Sequence, residues 1–189
     1  MRRESRDYLD SSVPQIDGLV SVDVSAWYDL WRERMALAVR TMPASVQEFK
    51  HVSESDFRRS WLIRALGPLA MKLGGVKLDQ WIVRKEGQLV ATLRTRADLT
   101  GNRSHEIRVS IDPKWRSQLA VPLLQIASKR ITQIPSKGTL VEVGGEEDAM
   151  LSALETAGFE DMSVWHWLGV KVDCAMAELE EERSGALTT

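Results

Sequence analysis

The sequence of 189 residues contains one cysteine, Cys174, and no apolar run near the roughly 18 residues that a membrane span requires. A single thiol excludes an internal disulfide framework and a zinc site built from several cysteines. The three histidines are scattered without the i, i+4 spacing of metal ligands, so we expect no metal site. No apolar stretch follows the twin arginine, Arg2 and Arg3, so we expect no secretory signal and a cytoplasmic protein.

An excess of one charge is also lacking, because 25 lysines and arginines stand against 27 aspartates and glutamates, for a net charge of −2. Phosphate binding along a nucleic acid needs a concentrated positive field, so nucleic acid is not an expected partner. A membrane is not expected either, because the long apolar run of a membrane span is lacking. Tryptophan, by contrast, is abundant, with seven residues against three phenylalanines and two tyrosines. So many large rings require a core or an interface to cover them.

The length and the 43% hydrophobic content fit one domain that buries about 70% of the surface of its unfolded chain. Polar composition without apolar periodicity predicts a mobile N-terminal segment over residues 1–17. The single domain is expected over residues 18–174. A mobile or frayed acidic tail is expected over residues 175–189, because this stretch is too short to form an independent helix.

The first third of the domain alternates between strand and helix patterns. Valines at every second position from Gly18 to Val24 predict a strand, and Ser25 is the expected cap of the following helix. That helix is predicted to end at Met42 and to bury one stripe, formed by Trp27, Trp31, Met35 and Ala38. A capping box at Ser53–Asp56 predicts a second helix. Its expected features are an inner face of Phe57, Trp61 and Ala65, an interruption at Gly67-Pro68 and an end at Gly74-Gly75.

The remainder of the domain begins with period-two patterns. A hairpin is predicted with its turn at Lys85-Glu86-Gly87. Further strands are predicted over His105–Ile111, Thr139–Val143 and Val164–Val172, and helices over Leu119–Ile134 and Glu146–Ala157, with Leu123, Leu124, Ala127 and Ile131 inward and Gly158 as a left-handed cap. The order β-α-α-β-β-β-α-β-α-β predicts an α+β (mixed α/β) fold.

Two segments carry a recognisable pattern. The first, I-D-P-K-W-R-S-Q-L-A-V-P-L-L over Ile111–Leu124, has a strand end, a proline, an Arg-x-x turn and a leucine pair. The second, Leu151–Phe159, is a helix that closes in Gly-Phe before a predicted strand. With the order of elements, these segments resemble the GNAT superfamily of N-acetyltransferases. The resemblance implies the GNAT fold, with a central mixed, mostly antiparallel sheet that is flanked by helices. It also implies an acyl-CoA-dependent activity.

The resemblance also implies a cofactor site. In that family the turn after the strand offers successive backbone N–H groups to the pyrophosphate of acetyl-CoA, at the positive end of a helix. The corresponding acetyl-CoA (or other acyl-CoA) contacts are expected at Ile111, Arg116, Ser117, Gln118, Leu119, Ala120 and Val121. Leu119 and Val121 replace the family's two glycines, which weakens the expected hold on the cofactor because a side chain restricts the close approach of backbone to phosphate.

Catalytic residues follow from the same resemblance. Glu106, on the strand before the turn, is the candidate base, and the backbone N–H of Ile111 is the candidate oxyanion donor. The same residues are also consistent with an alternative in which Glu106 has no catalytic role and begins an exposed strand edge beside Arg108. The family often places a tyrosine acid where this chain has Leu154, and no obvious replacement is present. Arginines on the central strands form either a solvated sheet face or a phosphate contact.

Two functions therefore stay open. One is an acyl-CoA-dependent N-acyltransferase that transfers an acetyl group to an amine of a small molecule or peptide, which the two matching segments favour. The other is a non-catalytic GNAT-fold module that binds a ligand or a protein, favoured by the lost glycines and the missing tyrosine. Trp165 and Trp167 share one face of the predicted last strand, and they predict core packing, a wall of the acceptor pocket or a homodimer contact.

Overall fold

The computed structural model describes residues 14–43, 46, 52–58, 60–143 and 147–159. The strand predicted over residues 164–172, the tail predicted over residues 175–189 and residues 1–13 of the predicted N-terminal segment lie outside this range. Among the described residues, no helix combines the length and apolar character needed to cross a membrane.

The described strands form one five-stranded sheet in the order β1-β2-β3-β4-β5. They are β1 (Leu19–Ser21), β2 (Val76–Lys85), β3 (Gln88–Asp98), β4 (His105–Ile111) and β5 (Thr139–Val143). Neighbouring strands are antiparallel except β4 and β5, which are parallel because a helix crosses over between them. The predicted mixed, mostly antiparallel sheet is confirmed.

The helices are α1 (Val24–Asp29), α2 (Trp31–Thr41), α3 (Glu54–Phe57), α4 (Trp61–Leu73), α5 (Arg116–Ile131) and α6 (Glu147–Thr156), with a 3-10 turn over Pro113–Trp115. Each of the two helices predicted near the N-terminus is thus divided in two. Helix α1 begins one residue before the predicted cap, because Asp23 and not Ser25 caps it: the Asp23 carboxylate accepts from the N–H of Ala26 at 2.7 Å.

The predicted second helix differs in two ways from the structure. Its capping box is confirmed, with the N–H of Ser53 donating to the Asp56 carboxylate at 3.1 Å. However, α4 runs through Gly67-Pro68 without interruption, and Ala65 is exposed and not on an inner face. Helix α4 instead leaves much of its apolar surface uncovered by the described residues, at Leu62, Ile63, Leu66, Leu69 and Leu73.

The main core lies between α5 and one face of the sheet. On β4, alternate residues point to this face, and His105, Ile107, Val109 and Ile111 are all buried. The predicted inner stripe of α5 is confirmed, since Leu123, Leu124, Ala127 and Ile131 pack into the same cluster. Burial of each large aliphatic side chain contributes about 1.5–3 kcal/mol to the free energy of unfolding.

A smaller cluster covers part of the opposite face. It is formed by Trp27 of α1, Leu37 of α2, Ile82 of β2 and Leu89 of β3. The buried apolar residue of α2 is therefore Leu37 and not the predicted Met35, because the break at Leu30 changes which side of the helix faces the sheet. The arginine side chain of Arg34 stacks 4.1 Å from the centre of the Trp27 ring.

The turn of the β2–β3 hairpin lies where the sequence predicts it. Glu86 and Gly87 have φ angles of 53° and 78°, and both lie in the left-handed region that a tight hairpin turn requires. A glycine at the second of these positions adopts that conformation without steric cost. The hairpin's two strands, of 10 and 11 residues, are the longest of the described sheet.

The amino end of β4 is held by a buried histidine with both ring nitrogens bonded. His105 is 1% exposed. Its Nδ1 accepts from the backbone N–H of Asp98 at 3.2 Å, so its Nε2 carries the proton and donates to the carbonyl of Ile134 at 2.9 Å. The neutral ring thus links the end of β3 to the segment after α5.

We expect His105→Phe to lower the free energy of unfolding by about 2–4 kcal/mol, because it leaves the buried N–H of Asp98 and the carbonyl of Ile134 without the ring partner. Urea denaturation with an unchanged m-value measures the loss. Gln133→Ala, at a neighbouring exposed position, is the control and should stay within about 0.5 kcal/mol. A variant as stable as the wild type would contradict this role.

The turn between β3 and β4 is built around the carboxylate of Asp98. It accepts from the hydroxyl of Thr100 at 2.8 Å and from the backbone N–H groups of Asn102 at 2.9 Å and Arg103 at 2.8 Å. These bonds, the Thr100 hydroxyl first, hold the pKa of Asp98 below its usual value. They stabilise the ionised carboxylate in the folded protein.

This lowered pKa predicts a pH-dependent contribution to stability. Because the folded-state pKa lies below that of the unfolded chain, the contribution is complete above about pH 4 and is lost as the pH falls through the folded-state value. We expect Asp98→Ala to be less stable than the wild type at pH 7, with a difference that shrinks on acidification. Urea midpoints at pH 7 and pH 3 measure it, and a difference independent of pH would refute the assignment.

Candidate functional site

The site predicted from the sequence lies at the carboxyl end of β4. There β4 extends beyond its last pair with β5, which joins Val109 to Val143 among the described residues. On its other side, β4 stays paired with β3 as far as Ile111. Ile111 therefore has a strand neighbour on one edge, and on the other edge it lies past the described end of β5.

The backbone N–H of Ile111 points toward this second edge, which is open among the described residues and is called the open edge below. N–H groups alternate in direction along a strand. The N–H of His105 donates on the β5 side, to the carbonyl of Gly138 at 2.9 Å, whereas the N–H of Asp112 donates to the carbonyl of Val90 in β3 at 2.8 Å. Ile111 is six residues from His105 and so shares its direction, which is the orientation that an oxyanion donor at this position needs.

Asp112 organises the turn that follows. Its carboxylate accepts from the N–H of Lys114 at 3.2 Å, and its carbonyl accepts from the N–H of Trp115 at 2.9 Å. The carboxylate also receives the Nε–H of Arg40 in α2 at 2.8 Å. Arg40 donates a second bond to the carbonyl of Leu89 at 2.9 Å, so α2, the hairpin and the turn are linked through one guanidinium.

Helix α5 begins at Arg116 and not at the predicted Leu119, so the residues expected to form a cofactor loop are helical. The N–H groups of Trp115 and Arg116 are already used, by the carbonyls of Asp112 and Pro113. At the positive end of α5, the N–H groups of Ser117 and Gln118 lie in the first turn and have no i−4 acceptor within the helix, which begins at Arg116.

The two residues that replace glycine contribute to packing. Leu119 is a buried member of the main core, and Val121 is partly buried against it. Their side chains stabilise a regular helix on the sheet, which explains why α5 starts early. Ala120 is likewise buried, so residues 119–121 serve the core of the domain.

Arg116 is the unusual residue at the head of α5. It lies on the inner side of the helix and is only 8% exposed. Its Nε is buried and has no hydrogen-bond partner within the part of the chain that the structure describes. A buried donor of a charged group is costly without an acceptor. Together with the N–H groups of Ser117 and Gln118, this arginine fits an anion such as a pyrophosphate.

Glu106, the predicted base, is not brought next to Ile111. It points to the face opposite α5, where its carboxylate pairs with Arg96 of β3 at 2.7 Å. The five residues from Glu106 to Ile111 span about 17 Å of strand, too far for direct proton transfer. The base role stays a prediction, and over this distance it requires intervening water.

Other candidate residues are placed as follows. Leu154, at the family's tyrosine position, is 7% exposed and packs with Met150 and Ala153 in the main core, so it provides no acid. Arg108 pairs with Glu142 at 3.0 Å and not with Glu106. In the described ranges, no group of three His, Cys, Asp or Glu side chains is arranged to hold a metal ion. Trp165 and Trp167 lie outside the described residues.

Sequence reasoning missed the part that Arg40 and Asp112 play together. The sequence pattern places Asp112 inside the Ile111–Leu124 segment and gives no particular role to Arg40. The pair is separated by 72 positions in the chain. No local signal connects such residues, and only the packing of α2 against the sheet brings them together.

Comparison with known proteins shows which solved structures are similar to this one. No protein-family model and no curated protein matches the sequence. Glucosamine-6-phosphate N-acetyltransferase from Arabidopsis thaliana is similar with a TM-score of 0.50 and 12% identity, over 83% of this chain and 100% of that one. A predicted acetyltransferase with acetyl-CoA from Clostridium acetobutylicum has a TM-score of 0.48 and 12% identity, over 80% and 94%.

An aminoglycoside acetyltransferase from an uncultured soil metagenomic sample, in complex with trehalose, has a TM-score of 0.49 and 13% identity, over 81% of this chain and 95% of that one. The fold is the one found in N-acetyltransferase-like domains. This chain has the GNAT fold that its sequence resembles, with the mixed sheet and flanking helices of that class.

The link between Arg40 and Asp112 can be measured by a double-mutant cycle. Asp112→Asn removes the charge but keeps an oxygen for the N–H of Lys114, and Arg40→Met removes the partner. We expect a coupling free energy of about 0.5–1 kcal/mol, since both side chains are partly exposed. The exposed pair Arg58 and Glu54 is the control and should couple more weakly. Strict additivity at Arg40 and Asp112 would contradict the link.

Proposed function

We propose that the protein is an acyl-CoA-dependent N-acyltransferase, which transfers an acetyl group from acetyl-CoA to an amine of a small molecule or peptide. The observation that carries this proposal is the direction of the Ile111 N–H, which points to the open edge of β4 immediately before the positive end of α5. The GNAT fold supports it, because that fold places acyl transfer at the corresponding strand end.

Acetyl-CoA would be held through its phosphates at the head of α5. The donors are the guanidinium of Arg116 and the N–H groups of Ser117 and Gln118, aided by the helix dipole. Leu119, Ala120 and Val121 would support this turn through the core and not through N–H contacts. When bound, the cofactor supplies a thioester carbonyl that is activated toward an amine.

The Ile111 N–H would donate a hydrogen bond to the acyl oxygen as negative charge develops on it. A donor fixed by the sheet needs no reorganisation during the reaction, and one such donor contributes about 10²–10³ in kcat. Because every residue except proline presents the same N–H at position 111, the other side-chain substitutions leave this donor in place.

Protons would be exchanged with solvent. Glu106 is held by Arg96 and lies far along the strand from Ile111, so it can accept the amine proton only through water. The buried side chain of Leu154 offers no hydroxyl to protonate the departing thiolate. We therefore expect Glu106→Gln to lower kcat by no more than about tenfold, less than the loss of a directly placed base.

A non-catalytic binding module is the second candidate function. Two observations favour it: the N–H groups of Trp115 and Arg116 are satisfied inside the turn, and Leu154 replaces the family's acid. Such a module would bind a ligand at the head of α5 without releasing CoA from acetyl-CoA.

Calorimetric titration with acetyl-CoA tests the cofactor site. We expect binding by the wild type and about tenfold weaker binding by Arg116→Met, with a smaller loss for Arg116→Gln, which keeps a side-chain donor. Arg116→Met should fold normally, because it removes a buried N–H that has no partner among the described residues. No heat at millimolar acetyl-CoA would overturn the proposal, and binding without CoA release across a panel of amines would favour the module.

A further inference from the structure

The sheet face opposite α5 carries three arginines close together. Arg94 and Arg96 project from β3 and Arg108 projects from β4, and Arg94 lies directly opposite Arg108 in the strand register. Arg96 is paired with Glu106 at 2.7 Å and Arg108 with Glu142 at 3.0 Å. Within the described part of the chain, no ion pair or hydrogen bond engages Arg94.

Arg94 is also partly withdrawn from water. Burial lowers the pKa of its guanidinium, Arg108 and Arg96 lower it further, and Tyr28 of α1 and Glu106 partly offset the effect. A cation without a bonded acceptor, next to two other cations, is stabilised by an anion that approaches it.

The side chain of Gln80 lies beside Arg94 and gives independent support for a binding site there. It is the strand partner of Arg94 across β2 and β3, so the two side chains share a face. Gln80 is 3% exposed, and its Oε1 is buried without a hydrogen-bond partner among the described residues. An amide acceptor in this state fits a ligand that also offers an N–H or O–H group.

The distance of Arg94 and Gln80 from Ile111 indicates which part of a bound molecule they would contact. Arg108, directly opposite Arg94, is three residues from Ile111, or about 10 Å along β4. One small molecule can span that distance, with its amine at the open edge and its other end over β3.

We propose that Arg94 and Gln80 form a subsite for an oxyanion, a carboxylate or a phosphate, on the acyl acceptor, about 10 Å from the amine that is acylated. This inference rests on the proposed function for the role of the amine. The arginine binds the oxyanion, and the Gln80 carbonyl accepts from a neighbouring donor of the same ligand. The amine substrates that accept the acyl group then carry a negative charge at the end remote from the amine.

Matched probes test the subsite in the absence of acetyl-CoA, so the result does not depend on catalysis. The carboxylate pair is Gly-Gly-Gly and its C-terminal amide, whose extended length is about 10 Å. The phosphate pair is 6-aminohexyl phosphate and 6-aminohexanol. NMR titration of the arginine Nε–H signals gives the affinity of each probe. We expect the acidic member of at least one pair to bind about tenfold more tightly than its neutral partner.

Three variants separate the subsite from general charge effects. Arg94→Met should remove the preference for the acidic probe, and Gln80→Glu should remove it too by supplying an internal carboxylate beside Arg94. Arg103→Met, which makes the same change of charge on the exposed β3–β4 turn, should leave the preference intact. Gln80→Glu keeps the size of the side chain, so it remains informative if Arg94→Met does not fold.

The outcomes are distinct from those of the cofactor experiment. Equal affinity for acidic and neutral probes, or a preference that survives in Gln80→Glu, overturns the subsite even if acetyl-CoA binds. A preference that Gln80→Glu abolishes supports the subsite even if acetyl-CoA does not bind, in which case only the acylation of the ligand is lost. The pair that shows the preference identifies the oxyanion as carboxylate or phosphate.

Discussion

The packing of α5 against alternate residues of β4 is the interaction on which the rest of the structure depends. Apolar residues of both elements form the main core, and the short 3-10 turn between them leaves little freedom in where the helix can begin. This packing sets the position of Arg116, while the pairing of β4 with β3 sets the direction of the Ile111 N–H at the end of the sheet. The same residues therefore provide stability and define the candidate site.

The two ends of β4 differ in whether their buried polar groups have hydrogen-bond partners among the described residues. At its amino end, His105 and Asp98 have their hydrogen-bonding capacity met inside the protein, which stabilises the turn and the sheet. Beyond its carboxyl end, Arg116 keeps a buried donor without a partner among the described residues, as Gln80 keeps a buried acceptor. Unmet capacity of this kind costs stability unless a ligand satisfies it, so it is more typical of a binding site than of a structural one.

Much of the fold could be predicted from local patterns. The hairpin, β4, β5 and the inner stripe of α5 follow from period-two and helical spacing, where local preference and tertiary packing agree. The start of α5 could not be predicted, because Leu119 is compatible with a turn or a helix and only its burial decides. The cap at Asp23 could not be predicted because Ser25 is an equally good local choice, and the burial of Leu37 depends on the break at Leu30, which the local pattern does not show.

The sequence by itself determined the order of the elements, the segment that carries the acetyltransferase resemblance and the absence of the family's glycines and tyrosine. Only the tertiary structure decided what those absences mean. It placed Leu119 and Leu154 in the core, left Arg116 with an unbonded donor and paired Glu106 with Arg96. The physical reason is that hydrogen bonds, ion pairs and burial depend on groups far apart in the chain, and no local pattern encodes which of them meet.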